Sequence, residues 1–217
     1  MKIIALPKEH ISREHISRVV SQAEAIVASG NIVISPTDTV YGILGDATNA
    51  AAVQRMFALK NRPAQKALPV FVRDIAMARQ YAYISDVKAK FLERIWPGPV
   101  TAVFHHKEKL PRALTDGLNS LAFRIPNDPF LAELLKRVHA PIAQTSANVS
   151  NEPPAQNIEE IKAYFEKSKI QPDLVIDQGE LRGVPSTVID CTGNEPIILR
   201  TGVISKEELD TILQERR

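Results

Sequence analysis

The chain has 217 residues, enough for one large domain or two small ones with a substantial core. Its 44% hydrophobic and 24% charged residues are ordinary for a globular protein, and a formal charge of +2 argues only weakly for nucleic acid, which usually binds a concentrated basic face. Cys191 is the single cysteine, which excludes an intrachain disulfide, and no apolar run approaches the roughly 18 residues of a membrane span, so a soluble, cytoplasmic protein is the expectation.

Residues 3–6 read as a first strand. Ile16, Val19, Val20, Ala23, Ile26 and Val27 then follow helical spacing, and Gly30 stands where a C-terminal cap glycine belongs. Residues 31–35 form a buried-type strand that Pro36 stops, because proline cannot donate to the ladder. The spacing predicts a helix over 49–60 with Val53, Met56 and Phe57 facing the core and Pro63 ending it. A strand at 68–72 precedes helices at 75–80 and 85–95, the second capped by Ser85. Trp96-Pro97-Gly98-Pro99 breaks the chain before a strand at 100–105. A strand at 121–125 leads into a helix with Asp128 as cap and Pro129 in its first turn. A strand at 142–144 delivers Thr145-Ser146-Ala147-Asn148, and the polar 149–156 stretch reads as a mobile loop beside the site. A helix at 158–167 is followed by strands at 174–177, 187–190 and 197–199. The last helix opens with Ser205 and Glu208, a capping-box pair. Interleaved strands and helices predict an α/β layer fold in one domain, 1–217, and the late strands without intervening helices predict a mixed sheet.

Ser35-Pro36-Thr37-Asp38-Thr39-Val40-Tyr41-Gly42 places hydroxyls at a strand end, and Lys60 and Arg62 place two cations at a helix end. That combination suits an anionic substrate that must be oriented as well as attracted. The plain reading of Lys60, Arg62 and nearby Lys66 is dipole-complementing cations on a solvated face; the functional one is a phosphate clamp. Thr145 to Asn148 reads as a polar turn or as a ligand loop at a strand end. Ser186 and Thr187 read as strand-end residues, Arg124 as a paired core arginine and Arg200 as an edge salt bridge, unless a ligand claims them. No G-x-x-x-x-G-K-[ST], G-x-G-x-x-G, H-E-x-x-H or G-x-S-x-G pattern occurs. Any nucleotide is therefore held largely by side chains, with Lys60, Arg62, Lys66 and Arg200 as the available cations. His105 and His106 are adjacent on a strand and point to opposite faces.

Taken in order, these segments resemble the YrdC-type (YrdC/TsaC) threonylcarbamoyl-adenylate synthases. The family's S/T-P-T-[DE]-T-x-Y-G-L is Ser35 to Ile43 with Ile43 for leucine, and its K-x-R-P is Lys60 to Pro63. Its W-P-G-P-[LV]-T is Trp96 to Thr101, its S-x-N is Ser146 to Asn148, and its closing patterns are Ser186 to Asp190 and Leu199 to Gly202. The resemblance implies a short, single-domain form whose twisted, mixed, open sheet surrounds a large basic cavity. It implies synthesis of threonylcarbamoyl-AMP and pyrophosphate from L-threonine, bicarbonate and ATP with Mg²⁺, feeding a transfer RNA threonylcarbamoyl transferase complex. By motif position Thr39, Arg124, Gln144 and Ser186 would meet threonine. Arg62, Lys66, Ser120, Ser146, Asn148, Pro154 and Arg200 would hold ATP, with Lys60 and Arg62 as the catalytic pair and no protein-bound metal. Two departures stand out: Ala67 replaces the family's proline, and Phe71 stands where some longer relatives carry histidine.

Three other readings stay open: a non-enzymatic RNA-binding module, the carbamoyltransferase domain of hydrogenase maturation, and a YciO-like paralogue. Weak RNA binding remains a partner expectation, although only 6% of residues are aromatic and no basic stripe is interleaved with them. The carbamoyltransferase normally sits beside zinc-finger modules that one cysteine cannot build.

Overall fold

A computed structural model describes residues 1–7, 12–61 and 67–214. Its elements are β1 (Lys2–Ala5), α1 (Arg13–Ala28), β2 (Val33–Ser35), β3 (Gly42–Asp46), α2 (Ala50–Leu59), β4 (Val70–Phe71), α3 (Ile75–Tyr81), α4 (Asp86–Ile95), β5 (Val100–His105), α5 (Arg112–Thr115), β6 (Ser120–Arg124), α6 (Pro129–Val138), β7 (Ile142–Ser146), α7 (Ile158–Phe165), β8 (Leu174–Asp177), β9 (Thr187–Asp190), β10 (Ile197–Arg200) and α8 (Lys206–Gln214).

Side-chain caps set most helix starts. Ser12, Asp74, Ser85, Asp128 and Asn157 each accept from a backbone N–H in the first turn, and Asn49 Oδ1 accepts from both Ala51 and Ala52. The expected capping box is formed, with Ser205 N donating to Glu208 and Glu208 N donating to Ser205 Oγ. Helix α1 ends before Gly30, which takes φ +72.

The ten strands form one mixed sheet in the order β1-β8-β2-β3-β7-β4-β6-β5-β9-β10. Parallel pairs (β1·β8, β2·β8, β4·β6, β5·β9) are mixed with antiparallel ones, including the late hairpin β9·β10. Alternation along each strand assigns the two faces. Ile43, Ala143, Phe123, Ala102 and Ile189 enter the larger core, shared with residues of α2, α3, α4 and α7. Val33, Leu44, Phe71 and Ile142 point the other way, into a second core closed by Val19, Val20, Ala23 and Val27 of α1 and by Phe130, Leu131, Leu134 and Leu135 of α6. These two helices cover one half of that face. Its other half carries Ala122 and Arg124 of β6, Gln144 and Ser146 of β7, Thr101 of β5 and Val188 of β9, and this half floors a cavity.

The structure departs from the sequence reading in several places. Strand β3 was not expected, because glycines at 42 and 45 dilute a strand signal. At Gly45 a Cβ would lie 2.9 Å from Met56 Sδ where α2 crosses, so a larger residue there would displace the Met56 side chain. Helix α2 stops at Leu59, and Asn61 turns left-handed (φ 49), so the stop precedes Pro63, which itself lies outside the described residues. Strand β4 is only two residues long, while β7 runs through Thr145 and Ser146, which the sequence reading placed beyond the strand. The 149–156 loop, read as mobile, is fastened by Ser150 N to Lys60 O (2.8 Å) and Ala155 N to Ala147 O (2.9 Å). No helix among the described residues is long and apolar enough to cross a membrane.

Candidate functional site

The cavity encloses about 240 Å³. That is smaller than expected, below the roughly 300–1,000 Å³ of drug-sized ligand pockets. Thr39, Arg124, Gln144, Ser146, Ser186 and Arg200 all line it, joining strand ends far apart in sequence. Among the described residues its lining holds two guanidiniums and no carboxylate, so it is basic, as expected.

Arg124 is 3% exposed and is held on every side. Nε donates to Gly98 O (2.9 Å), Nη1 donates to Thr39 Oγ1 (3.2 Å), and Nη2 lies 2.5 Å from Asp38 Oδ1. That last ion pair lacks hydrogen-bond alignment, so Nη2 and Oδ1 are buried without a formed bond. The guanidinium also stands 5.7 Å from the centre of the Phe71 ring, within cation–π range. Burial pushes its pKa down, and the Asp38 charge opposes the shift. Arg124 is thus the paired core arginine of the plain reading, yet it also lines the cavity. The plain and functional readings coincide.

Elsewhere in the lining Arg200 Nη2 donates to the Ser186 carbonyl (2.8 Å) rather than to an edge carboxylate, and burial lowers its pKa. Ser186 Oγ and Thr101 Oγ1 are hydrogen-bonded at 2.8 Å. Gly202 packs so closely that a Cβ would stand 2.1 Å from Pro185 O, which holds the residue pair 185–186 against the end of β10.

Lys60 needs correction. The sequence reading placed it at an exposed helix end as a phosphate clamp; it is 4% exposed. Its Nζ donates to Ser146 O (2.8 Å), Ser146 Oγ (3.1 Å) and Asn148 Oδ1 (2.5 Å). Asn148 is bonded within the protein: Nδ2 donates to Val149 O and Glu152 O, while Oδ1 receives Lys60 and the Ser146 hydroxyl. Its hydrogen-bonding capacity is spent inside the protein, so its side chain shapes the 149–152 turn. Ser120 is not part of the lining, although alternation puts it on the same face as Ala122 and Arg124. Pro154 is half-buried in the fastened loop. Arg62 and Lys66 lie outside the described residues.

Sequence reasoning missed Asp38, Thr101 and Tyr41 as partners of the site, although all three stood inside segments it had singled out. Tyr41 Oη donates to Gly179 O (2.8 Å) and accepts from Gln178 N (2.9 Å), tying the 178–183 loop to the Thr39 segment. Burial pushes its pKa up to about 12. A raised folded-state pKa means that this stabilisation is complete below the ordinary value near 10 and is lost as pH rises towards 12. Denaturant unfolding measured from pH 9 to 12 should show stability falling over that window, with a shallower fall in Tyr41→Phe.

The sequence matches the Sua5/YciO/YrdC family model, described as "Telomere recombination", over residues 25–202. It is 36% identical over 197 residues to a threonylcarbamoyl-AMP synthase of Pyrococcus abyssi, covering 90% of this chain and 57% of that protein. A putative threonylcarbamoyl-AMP synthase of Methanocaldococcus jannaschii is 32% identical, covering 92% of this chain and 93% of that one. The chain therefore spans little more than half of the first relative and nearly all of the second. A crystal structure of P. abyssi Sua5 complexed with L-threonine superposes with a TM-score of 0.87 at 34% identity, covering 99% of this chain and 62% of that one.

Proposed function

The chain belongs to the Sua5/YciO/YrdC family, and on that premise we propose that it is a threonylcarbamoyl-AMP synthase, a nucleotidyltransferase acting in transfer RNA modification. One observation carries the reading: Thr39, Arg124, Gln144 and Ser186 converge on a basic cavity that Ser146 and Arg200 also line. The first group would take L-threonine, with Arg124 presenting the positive charge that a carboxylate seeks. The second group would face ATP, together with Arg62, Lys66, Ser120 and Pro154.

The threonine amine adds to bicarbonate-derived carbon dioxide, releasing a proton and giving a carbamate. A carbamate oxygen then forms a bond to the α-phosphorus of ATP as the bond to pyrophosphate breaks. A carbamate is already a nucleophile, so the step needs alignment and charge neutralisation more than a general base. Guanidiniums supply that neutralisation, and Mg²⁺ enters with the nucleotide as its phosphate-bound counter-ion. Lys60 and Asn148 act one layer back, holding Ser146 in place. The product is a mixed anhydride, and a transfer RNA threonylcarbamoyl transferase in the cytoplasm is its proposed consumer.

Incubation with ATP, threonine, bicarbonate and Mg²⁺ should yield threonylcarbamoyl-AMP by mass spectrometry only when all are present. ATP turnover at an equal rate without threonine would point to another enzyme. The division of the site is separately testable by calorimetry. Ser186→Ala should chiefly weaken threonine binding, since it unpairs an amino-acid polar group, whereas Ser146→Ala should chiefly weaken ATP binding. Loss of ATP binding alone in Ser186→Ala would contradict that layout.

A further inference from the structure

A second cavity, of about 430 Å³, lies apart from the site described above and falls within the size range of small-molecule pockets. The loop between β5 and β6 encloses it. His106 continues the alternation of Ala102 and Phe104, which enter the larger core, so the pocket it lines belongs to the face opposite the floor of the first cavity.

The 106–119 loop holds this shape through its own bonds. His106 Nε2 donates to Leu118 O (2.6 Å) and Nδ1 accepts from Glu108 N (3.0 Å), so one ring ties the two arms together. The direction of both bonds is fixed, because a carbonyl cannot donate and a backbone N–H cannot accept. Between the arms the chain turns left-handed at Glu108 (φ 54), Asp116 (φ 52) and Gly117 (φ 74). A left-handed glutamate is uncommon and persists only where its surroundings enforce it.

The charges of the lining are unspent. Arg112 and Glu108 both line the pocket, and among the described residues neither side chain has a hydrogen bond or an ion pair. The Arg112 guanidinium rests against the Gly117 turn, 3.6 Å from where a Cβ would stand. Leu110, 8% exposed, and Leu118, 49% exposed, supply apolar surface. One guanidinium and one carboxylate sum to zero, so the complementary ligand carries one charge of each sign. The planar fork of arginine takes a carboxylate bidentately, and an ionised glutamate can only accept, as an ammonium requires. A polyphosphate would set its charge against Glu108.

We propose that this pocket is a second binding site, for a zwitterionic α-amino acid with a bulky apolar side chain. Its carboxylate lies on Arg112, its ammonium on Glu108 and its side chain against Leu110 and Leu118. The site is separate from the first cavity and does not depend on the synthase reading.

The test is calorimetric titration of the full chain, and of its Arg112→Gln and Glu108→Gln variants, with L-phenylalanine, L-phenylalaninamide, N-acetyl-L-phenylalanine and AMP. Both charges are exposed and screened, so the parent should bind phenylalanine with a Kd of about 0.1–1 mM. The amide, which lacks the carboxylate, and the N-acetyl compound, which lacks the ammonium, should each bind about tenfold more weakly. Arg112→Gln should lose the preference over the amide, and Glu108→Gln the preference over the N-acetyl compound. Melting curves and threonylcarbamoyl-AMP synthesis without phenylalanine should be unchanged in both variants. No phenylalanine binding by the parent up to about 10 mM, or binding that survives both substitutions, overturns the proposal and leaves the synthase reading intact. AMP binding that needs Arg112, with none of phenylalanine, overturns it in favour of a nucleotide site. Loss of synthesis in the parent with the phenylalanine pattern as expected overturns only the synthase reading.

Discussion

Replacing Lys60 by alanine should destabilise the protein and impair nucleotide use together. The side chain is 4% exposed, and its ammonium serves Ser146 O, Ser146 Oγ and Asn148 Oδ1. Alanine would leave buried acceptors without a donor and open a cavity beneath β7. Unsatisfied buried groups of this kind cost about 1–3 kcal/mol in all but the mildest cases, and breaking a charged buried network reaches the upper part of that range. For a chain of this size a loss of about 2–3 kcal/mol lowers the melting temperature by roughly 4–12 °C. Ser146 would also lose its position, so ATP binding should weaken even well below the melting temperature. The exposed Lys90 on α4 is the control: Lys90→Ala should stay within about 0.5 kcal/mol of the parent. A melting curve for Lys60→Ala that overlays the parent would return Lys60 to the solvated helix end that its sequence position suggests.

Gly183→Ala should damage the threonine side more than any conservative change in the lining. A Cβ on Gly183 would sit 1.3 Å from Thr39 O and 2.5 Å from Thr39 C, both backbone atoms. Neither can rotate away, so either the 178–183 loop or the Thr39 segment must move by more than an ångström. Overpacking of this kind costs about 1–3 kcal/mol, sometimes more. Misplacing a positioned group by about 1 Å can cost about a hundredfold in rate. The expected result is a roughly hundredfold loss in kcat/KM for threonine with the protein still folded. Gly179→Ala separates crowding from backbone freedom. Gly179, unlike Gly183, has positive φ (+77), and nothing lies within 4 Å of its Cβ position, so alanine there should cost stability of about 1 kcal/mol and little activity. Equal activity of the two variants would show that the contact between Gly183 and Thr39 does not position the site.

Much of the fold was legible because its signals are local. Ser85, Asp128 and the Ser205–Glu208 pair cap the helices they were expected to cap, since a side chain reaches a backbone N–H two or three residues ahead without tertiary help. The same local logic failed at β3. Two glycines hid the strand, and the close packing of Met56 of α2 over Gly45 is a tertiary contact that no local signal carries. Among the site residues, Thr39, Arg124, Gln144, Ser146, Ser186 and Arg200 do line one cavity. Asp38 and Thr101 escaped notice because each acts only on a partner distant in sequence, Arg124 in one case and Ser186 in the other.

By itself the sequence determined the order of most elements, the mixed α/β class, several helix caps and the ordered segments that mark the family. Those features depend on residue type and on short spacings, which a chain carries whether or not it is folded. Depth and direction were decided only by tertiary structure. Lys60 is buried because β7 brings Ser146 and Asn148 over it from more than eighty positions away. Arg124 Nη1 reaches Thr39 Oγ1 only because β6 brings it there from eighty-five positions away. Whether a cation meets solvent or a carbonyl depends on neighbours that the sheet assembles. No spacing along the chain encodes them.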